Sequence, residues 1–303
     1  MAGVSGIDLN LLVVLDALLG ERNVTRAGAK LSLSQPTMSG SLARLRQHFG
    51  DELLVRSGRE YRLTPVAGHL LPAVREALLQ VEQTLSTSQE FEPATSTRRF
   101  LIAVSGQSVL ALNALLVRVR KLAPRVRLET WRPVTAALLD SDRGLLWCDL
   151  LLAPAGLQPA GEGELIWRDR FVYVADPANP WLRDGRLSLA DLAAAPHAAV
   201  RLPPGQPAPV AAAIAEHGIT PDVMVTTAGW LALPFLVAGT DLVAAVPERL
   251  ARKVAAAAGI TVIEPPFGPV EITETAWWHP MRGTDPALTW LRTTLKETAA
   301  AHA

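Results

Sequence analysis

The chain has 303 residues, 49% of them apolar and 19% charged, which makes global disorder improbable and allows about two folded domains. Its 29 basic and 29 acidic residues cancel, so the net charge says nothing about a nucleic-acid partner. Its one cysteine, Cys148, excludes an intramolecular disulfide framework. The sequence contains neither an apolar run long enough to span a bilayer nor a secretion signal, so we expect a soluble, cytoplasmic protein with no membrane partner.

The N-terminal segment reads as three short helices. Apolar residues at helical spacing over 7–19 predict the first helix, and Val24–Leu31 predicts the second, with Asn23 as its cap. The third helix begins near Gln35, with Ser34 as cap and Pro36 in the first turn. Residues 22–62 also hold eight Lys and Arg but three Asp and Glu, an excess that fits phosphate binding or an ordinary solvated basic surface equally well.

The third helix has two unlike faces. Its apolar stripe consists of Met38, Leu42, Leu45 and Phe49. The opposite face carries small and polar residues, namely Pro36, Ser39, Gly40, Ala43, Arg44 and Gln47. Gly40 costs this helix about 1 kcal/mol relative to alanine. That cost is understandable if the helix must approach a base edge closely at this position. This face therefore suits a helix that enters the major groove by its N-terminal end.

A short hairpin follows the third helix. Leu53–Arg56 and Tyr61–Leu63 are predicted strands, and they flank a tip that contains Arg59. Basic residues at such a tip can reach the DNA backbone or the minor groove, so we predict a winged helix-turn-helix.

These motifs together resemble one family. The runs in question are Asp8–Leu12, Leu31–Ser39, Leu42–Arg46, Leu54–Arg56 and Leu63–Pro65. They are similar to the N-terminal domain of LysR-type transcriptional regulators, in particular the subgroup of nodulation-gene activators and salicylate-responsive regulators. The resemblance implies base contacts by Gln35, Pro36 and Ser39, and phosphate contacts by Ser34, Thr37, Arg44 and Arg56. Gly40 stands where the commoner family pattern has arginine.

A linker helix is predicted from Pro65, and Pro72 should bend it. Its apolar positions follow three-four spacing and are Leu71, Val74, Leu78, Val81 and Leu85. This is the pattern of a coiled-coil seam, and symmetric operators require a two-fold protein, so we predict a homodimer. The alternative is that the helix packs on its own domain. Family resemblance further suggests a tetramer.

The rest of the chain alternates strands and helices, and the strand-helix-strand unit from Phe100 to Thr130 predicts a parallel sheet. This layout resembles the two-lobed, periplasmic-binding-protein-like α/β effector domain of the same family. The predicted fold is thus α+β and multidomain. We expect a DNA-binding domain at 1–65, a linker helix at 66–92, a hinge at 93–99 and an effector domain at 100–303. Lobe I should comprise about 100–164 and 267–303, and lobe II about 165–266, with crossings near Glu164 and Pro265-Pro266.

The cleft between the lobes is the predicted effector site. Ser105, Gln107 and Ser108 precede a helix N-terminus, which favours an anion, and Thr227 to Trp230 form a second such entry on the other lobe. Arg132, Arg201 and His279 lie at strand ends, and Trp230, Trp277 and Trp278 offer flat apolar walls. We hypothesise a small aromatic carboxylate as effector. Each of these residues also has an ordinary structural interpretation, because arginines at strand ends are usually solvated and tryptophans usually fill cores.

Three other functions compete with an effector-controlled regulator. An enzyme is disfavoured, because the six histidines lack metal-ligand spacing and no nucleophile elbow or phosphate-binding glycine loop occurs, so we expect neither a metal nor a cofactor. A small-molecule-binding protein with a vestigial head, or a ligand-independent repressor or architectural DNA-binding protein, remains open. The expected partners are double-stranded DNA, a small-molecule effector, a second copy of the chain and, for an activator, RNA polymerase.

Overall fold

The computed structural model describes residues 8, 10–57, 60–86, 90–104, 108–131, 142–157, 159–202 and 209–300. It divides the chain into two compact units, Met1–Gln89 and Glu90–Ala303, which we call unit 1 and unit 2.

Unit 1 is a small helical domain with a hairpin. Its elements are α1 (Asn10–Glu21), α2 (Val24–Leu31), α3 (Gln35–Phe49), β1 (Leu54–Ser57), β2 (Glu60–Leu63) and α4 (Pro65–Ser86). The predicted caps are present, since the Asn23 side chain accepts a hydrogen bond from the Arg26 N–H at 3.0 Å. Ser32 ends α2 in the left-handed conformation, which turns the chain sharply into α3. The predicted helix-turn-helix and hairpin are therefore confirmed.

Unit 2 mixes helices and strands. Its helices are α5 (Val109–Leu122), α6 (Leu189–Ala194), α7 (Pro209–Ala215), α8 (Leu233–Val237), α9 (Glu248–Ala258) and α10 (Pro286–Ala300). Its strands are β3 (Arg99–Val104), β4 (Arg127–Trp131), β5 (Leu150–Pro154), β6 (Glu162–Ala175), β7 (Pro196–Val200), β8 (Asp222–Thr227), β9 (Ala244–Pro247), β10 (Thr261–Ile263) and β11 (Val270–Trp278). Sequence analysis did not predict β7, α9 or β10.

The main sheet of unit 2 is mixed rather than parallel throughout. Its strand order is β10-β6-β11-β5-β3-β4, and β9 also pairs with β6. β3 is parallel to β4 and to β5, as the strand-helix-strand pattern predicted. β11 is antiparallel to both β5 and β6, while β7 and β8 form a separate parallel pair.

Two long strands join the two lobes of unit 2. The core of lobe I packs α5 and α10 on one face of the sheet, and Ile166 and Trp167 of β6 belong to it. Val172 of the same strand belongs to the core of lobe II. The first crossing thus lies between Trp167 and Val172, not near Glu164 as predicted, because β6 runs on as one uninterrupted strand. The return crossing lies on β11, where Val270 and Glu274 pair with Phe171 and Trp167, and not at Pro265-Pro266 as predicted.

Candidate DNA-binding face and ligand cleft

The start of α3 is fixed by its cap. The Ser34 hydroxyl accepts a hydrogen bond from the Thr37 N–H at 3.3 Å, and the two hydroxyl oxygens lie 2.7 Å apart. Pro36 occupies the first turn, where a helix has no use for its N–H. Gln35 remains exposed beside this cap. The first turn of α3 is thus rigid in its backbone and open on its outer surface.

The two faces of α3 separate as their residue types require. Met38, Ser41, Leu42 and Leu45 are buried, and Phe49 is half-buried. The exposed residues are Ser34, Gln35, Pro36, Thr37, Ser39, Gly40, Ala43, Arg44 and Gln47. The whole predicted DNA-contacting set on this helix therefore lies on one solvent-facing surface, which we call the α3 face.

Two glycines of the helix-turn-helix have different reasons to be glycine. A Cβ added at Gly28 would lie 3.0 Å from the Leu33 carbonyl oxygen and 3.1 Å from the Met38 Cγ, so α2 and the turn leave little room for a side chain. A Cβ added at Gly40 would meet nothing within 4 Å. A side chain at position 28 would force its neighbours to shift by a few tenths of an ångström, whereas one at position 40 would displace nothing.

The hairpin is attached to α3 through an arginine that sequence analysis did not single out. Arg46 donates from Nε to the Glu52 carbonyl at 2.9 Å and from Nη2 to the Leu54 carbonyl at 3.1 Å. Arg56 is exposed on β1, opposite Tyr61 on β2. Arg59, at the predicted hairpin tip, lies outside the described residues. Arg46 thus positions the hairpin, while Arg56 is exposed to solvent.

Burial changes the interpretation of the linker helix. Leu71 and Val74 are only 2% and 5% exposed within the single chain, and the Arg75 Nε donates to the Asp16 carboxylate of α1 at 2.6 Å. These two apolar residues pack on their own domain, so their assignment to a partner seam was wrong. Leu78 is half-buried, Val81 is 37% exposed, and the Leu85 side chain lies outside the described part.

Strand direction locates the cleft in unit 2. In lobe I, the carboxyl end of β5 at Pro154 lies beside Glu274 of β11, toward the crossing strands. In lobe II, β9 is antiparallel to β6 with Pro247 beside Phe171, and β7 runs in the same direction as β9. The carboxyl ends of β3 and β5 and those of β7 and β8 therefore face one another across the crossing, the usual position of a ligand in such sheets.

On the lobe I side, Ser108 is completely buried rather than open to the cleft. Its hydroxyl bonds the carboxylate of Glu274, which is 1% exposed, and lies 3.2 Å from the Leu152 carbonyl oxygen. Sequence analysis missed Glu274, which lies in the middle of β11. The predicted neighbours Ser105, Gln107 and Arg132 lie outside the described residues.

On the lobe II side, two predicted residues lie at the cleft edge. The Arg201 N–H donates to the Thr227 carbonyl at 2.8 Å, and its exposed guanidinium lies 3.3 Å from the Thr226 hydroxyl. Trp230 is half-buried, and its ring packs edge-on against Phe171 at 5.5 Å between centroids. The structure therefore brings Arg201 and Trp230 to the same edge of lobe II.

His279 does not face this cleft. Because β11 is antiparallel to β5, the residue after its end lies at the opposite edge of lobe I, about 16 Å along the strand from Glu274. His279 is 8% exposed, and its Nδ1 accepts a hydrogen bond from the Met281 N–H at 3.3 Å. Its prediction as an effector ligand was wrong, because sequence analysis did not determine the direction of β11.

That opposite edge carries an ionic cluster. The Asp149 carboxylate accepts from the Leu101 N–H at 2.7 Å and from Arg282 Nη1 at 2.8 Å, and Arg98 lies 3.7 Å away. Arg98 also donates to Asp285 at 3.1 Å. The cluster ties the start of β3 to β5 and to the start of α10.

Trp277 and Trp278 are structural as well. The Trp278 indole N–H donates to the Glu162 carboxylate at 2.8 Å, and the Arg292 guanidinium lies 3.7 Å from its ring centre. The Trp277 ring covers Gly163, where an added Cβ would come within 2.5 Å of it. Neither ring forms a cleft wall.

A second ionic cluster lies where β6 enters lobe II. Arg170 donates to Glu248 at the start of α9 and to Glu264 just after β10, with N–O distances of 2.6 and 2.8 Å. The Arg170 guanidinium holds the pKa of the Glu248 carboxyl below its ordinary value. One side chain of β6 is thereby tied both to the start of α9 and to the segment after β10.

Within the ranges described, no group of three or more His, Cys, Asp or Glu side chains could hold a metal ion. Of the helices in those same ranges, none is long and apolar enough to cross a bilayer.

The chain matches two family models. Residues 9–68 match the bacterial regulatory helix-turn-helix protein model of the lysR family. Residues 95–300 match the LysR substrate binding domain. The two matches cover the α3 face and the cleft.

Individual relatives are similar in sequence to this chain over nearly its full length. The chain is 36% identical to nodulation protein D 3 of Mesorhizobium japonicum, over 97% of this chain and 98% of the relative. It is 34% identical to nodulation protein D 1 of Neorhizobium galegae, over 95% of this chain and 93% of the relative. Among solved structures, a probable transcriptional regulator of Pseudomonas aeruginosa is 31% identical, with a TM-score of 0.76 and coverage of 97% and 98%.

Proposed function

Because this chain belongs to the LysR family of bacterial transcriptional regulators, we propose that it reads a specific DNA site through the α3 face and that a small molecule bound between the lobes of unit 2 controls it. The observation that carries the proposal is the α3 face itself. Its cap is satisfied within the chain, yet Gln35, Ser39 and Arg44 remain exposed along one side of the helix.

The residue types of the α3 face suit two kinds of contact with DNA, to base edges and to phosphates. The Gln35 amide can both donate to and accept from an adenine edge, and the Ser39 hydroxyl can bond either groove-edge partner. Pro36 offers an apolar contact to a thymine methyl. Cations and hydroxyls bind phosphates, and we assign that role to Ser34, Thr37, Arg44, Arg56 and Arg59.

The effector proposal is a small aromatic carboxylate. It is supported by Arg201, whose guanidinium is exposed at the cleft edge of lobe II, and by the ring of Trp230 on the same edge. Ser105, Gln107 and Arg132 remain predicted members of the site. Ligand binding between the lobes would favour one lobe geometry and so shift the placement of the DNA-binding units.

We further propose that the regulator acts as a homodimer in the cytoplasm, where its DNA lies. Operators read by helix-turn-helix dimers are two-fold symmetric. The part of α4 available to a partner begins at Leu78, which is half-buried, and continues through Val81, which is 37% exposed. A tetramer, and contact with RNA polymerase in an activator, are extensions of the same proposal.

The proposal is tested by selecting bound fragments from random duplex DNA with the purified full-length protein. We expect enrichment of a two-fold-symmetric site. Absence of enrichment by folded protein across a range of salt, with and without aromatic acids, would contradict it. Calorimetric titration with a panel of aromatic acids tests the effector class, and binding of none of them would exclude that class.

A further inference from the structure

Four cations of the basic segment 22–62 have no role in the function proposed above. They are Arg22, Arg26, Lys30 and Arg62, and all four are exposed. Arg26 and Lys30 lie on α2, which packs against α3. In a helix-turn-helix, the helix before the recognition helix crosses the DNA backbone. These two side chains therefore lie on the helix of unit 1 that is expected to pass beside phosphates.

One carboxylate, that of Glu21, holds both of these cations. Its oxygens lie 3.6 Å from the Arg26 Nε and 3.4 Å from the Lys30 Nζ. Arg26 also donates from Nη2 to the Glu21 carbonyl oxygen at 2.6 Å. The two cations of α2 thus converge on one residue of α1.

The position of Glu21 is unfavourable for an acid when α1 is considered alone. Glu21 is the last residue of α1, and the last turn of this helix contains no basic residue. The carboxyl end of a helix carries partial negative charge, which disfavours an acidic side chain there. The cations of α2 offset this cost, so the acid is explained by its ion pairs and not by the stability of α1.

A DNA phosphate and the Glu21 carboxylate compete for the same two cations. Each phosphate that a Lys or Arg neutralises releases counterions from DNA, and this release strengthens binding to any sequence. The Arg26 and Lys30 side chains are 67% and 48% exposed, and ion pairs between exposed side chains are weak. DNA can therefore displace Glu21, but the displaced carboxylate remains nearby and repels the phosphates.

We propose that Glu21 weakens phosphate binding by α2, because it holds Arg26 and Lys30, and so limits the affinity of the chain for DNA of any sequence. This inference rests on the DNA-binding role proposed for the α3 face, and it adds the exposed side of α2 as a second surface that contacts DNA. Glu21 acts through the two cations and through its own charge, and it reads no base.

The test compares Glu21→Gln with the wild-type chain at full length, on unrelated duplex DNA and on the selected site, over a series of salt concentrations. Glutamine keeps the size of the side chain and removes its charge. We expect Glu21→Gln to bind unrelated DNA about fivefold more tightly or better, and the selected site by a similar factor. The logarithm of its affinity should fall more steeply with the logarithm of the salt concentration, by about one to two additional phosphate contacts.

The matched control is Glu52→Gln, which removes the same charge from unit 1. The Glu52 carboxylate lies 3.0 Å from Arg46, but Arg46 is also bonded to two backbone carbonyls, so this variant does not release it. Its affinity for unrelated DNA should rise less than about twofold. A triple variant that combines Glu21→Gln with Arg26→Gln and Lys30→Gln should lose the gain, because the two cations are gone.

Equal binding of unrelated DNA by Glu21→Gln and the wild-type chain, including binding by neither, would overturn the inference. Weaker binding by Glu21→Gln would also overturn it, since Glu21 would then orient the cations toward phosphates. A gain as large in Glu52→Gln, or a gain that persists in the triple variant, would equally contradict it. Failure of the regulator function is distinguishable, because no site would be enriched while unrelated DNA was still bound.

Discussion

The α3 face and the ligand cleft are built in opposite ways. The α3 face comes from one helix of 15 residues, and its exposed side follows from helical spacing and a serine cap. The cleft comes from strand ends that are far apart in the chain, such as Pro154, Val200 and Thr227. A local pattern can specify a face, whereas a cleft between strand edges depends on the direction and register of each strand.

The positions of the predicted residues in the structure reflect this difference. All the predicted α3 residues lie on one exposed surface. Of the cleft predictions within the described ranges, Arg201 and Trp230 lie at the cleft edge, Ser108 is buried against Glu274, and His279 is at the wrong edge.

The largest expected effect concerns the edge of lobe I that faces away from the cleft. Asp149→Ala should lower the free energy of unfolding by about 3–5 kcal/mol, because it leaves Arg282 and the Leu101 N–H without their carboxylate. Chemical denaturation of the full-length protein measures this. The control Glu271→Ala removes an exposed carboxylate and should cost less than about 0.5 kcal/mol. A small effect of Asp149→Ala would mean that this cluster is not structural.

An intermediate effect on stability is expected when two helical glycines are replaced. Gly40 and Gly68 are both exposed in helices, and an added Cβ at either meets nothing within 4 Å. Alanine at each position should raise stability by about 0.5–1 kcal/mol. Only Gly40→Ala should also weaken binding to the selected DNA site, by about fivefold, if α3 approaches the bases closely there. Equal DNA affinities of the two variants would remove Gly40 from the DNA-binding set.

The smallest expected effect is the pH dependence of stability that His197, in the core of lobe II, should cause. Burial lowers the pKa of His197 from its ordinary value of 6.5, against the weaker opposing effect of its bond to the Leu192 carbonyl. As the pH falls below 6.5, His197 binds a proton in the unfolded chain but not yet in the folded chain. The free energy of unfolding therefore keeps its maximum contribution from His197 above pH 6.5 and decreases below it. The loss at pH 5.5 should not exceed about 1.4 kcal/mol, the cost of withholding one proton one pH unit below the ordinary pKa.

Denaturation of wild type and His197→Gln at pH 7.5 and 5.5 measures that loss. The variant should lose less stability than wild type between the two values. Parallel pH dependence in the two proteins would show that His197 does not contribute.

What the sequence could not predict has physical causes. An apolar stripe shows that Leu71 and Val74 are buried but not whether the covering surface is α1 or a second chain. The spacing in β11 shows a strand but not its direction, so Trp278 and His279 were assigned to the cleft. Glu274 was missed because an acidic residue in a strand is expected to face solvent, and only its contact with Ser108, far away in the chain, shows that it is buried. Caps and helical faces need no such distant information, which is why Asn23 and Ser34 were predicted.

The most direct measurement of the account is the affinity of Gln35→Ala and Ser39→Ala for the selected DNA site and for unrelated duplex DNA at one fixed salt concentration. Each variant should lose about 1–3 kcal/mol on the selected site and almost nothing on unrelated DNA, because a base contact adds specificity and a phosphate contact does not. Gln80→Ala, an exposed glutamine of α4, should change neither value. Unchanged binding of both variants to the selected site, or an equal loss on both kinds of DNA, would contradict the assignment of the α3 face as the surface that reads the sequence.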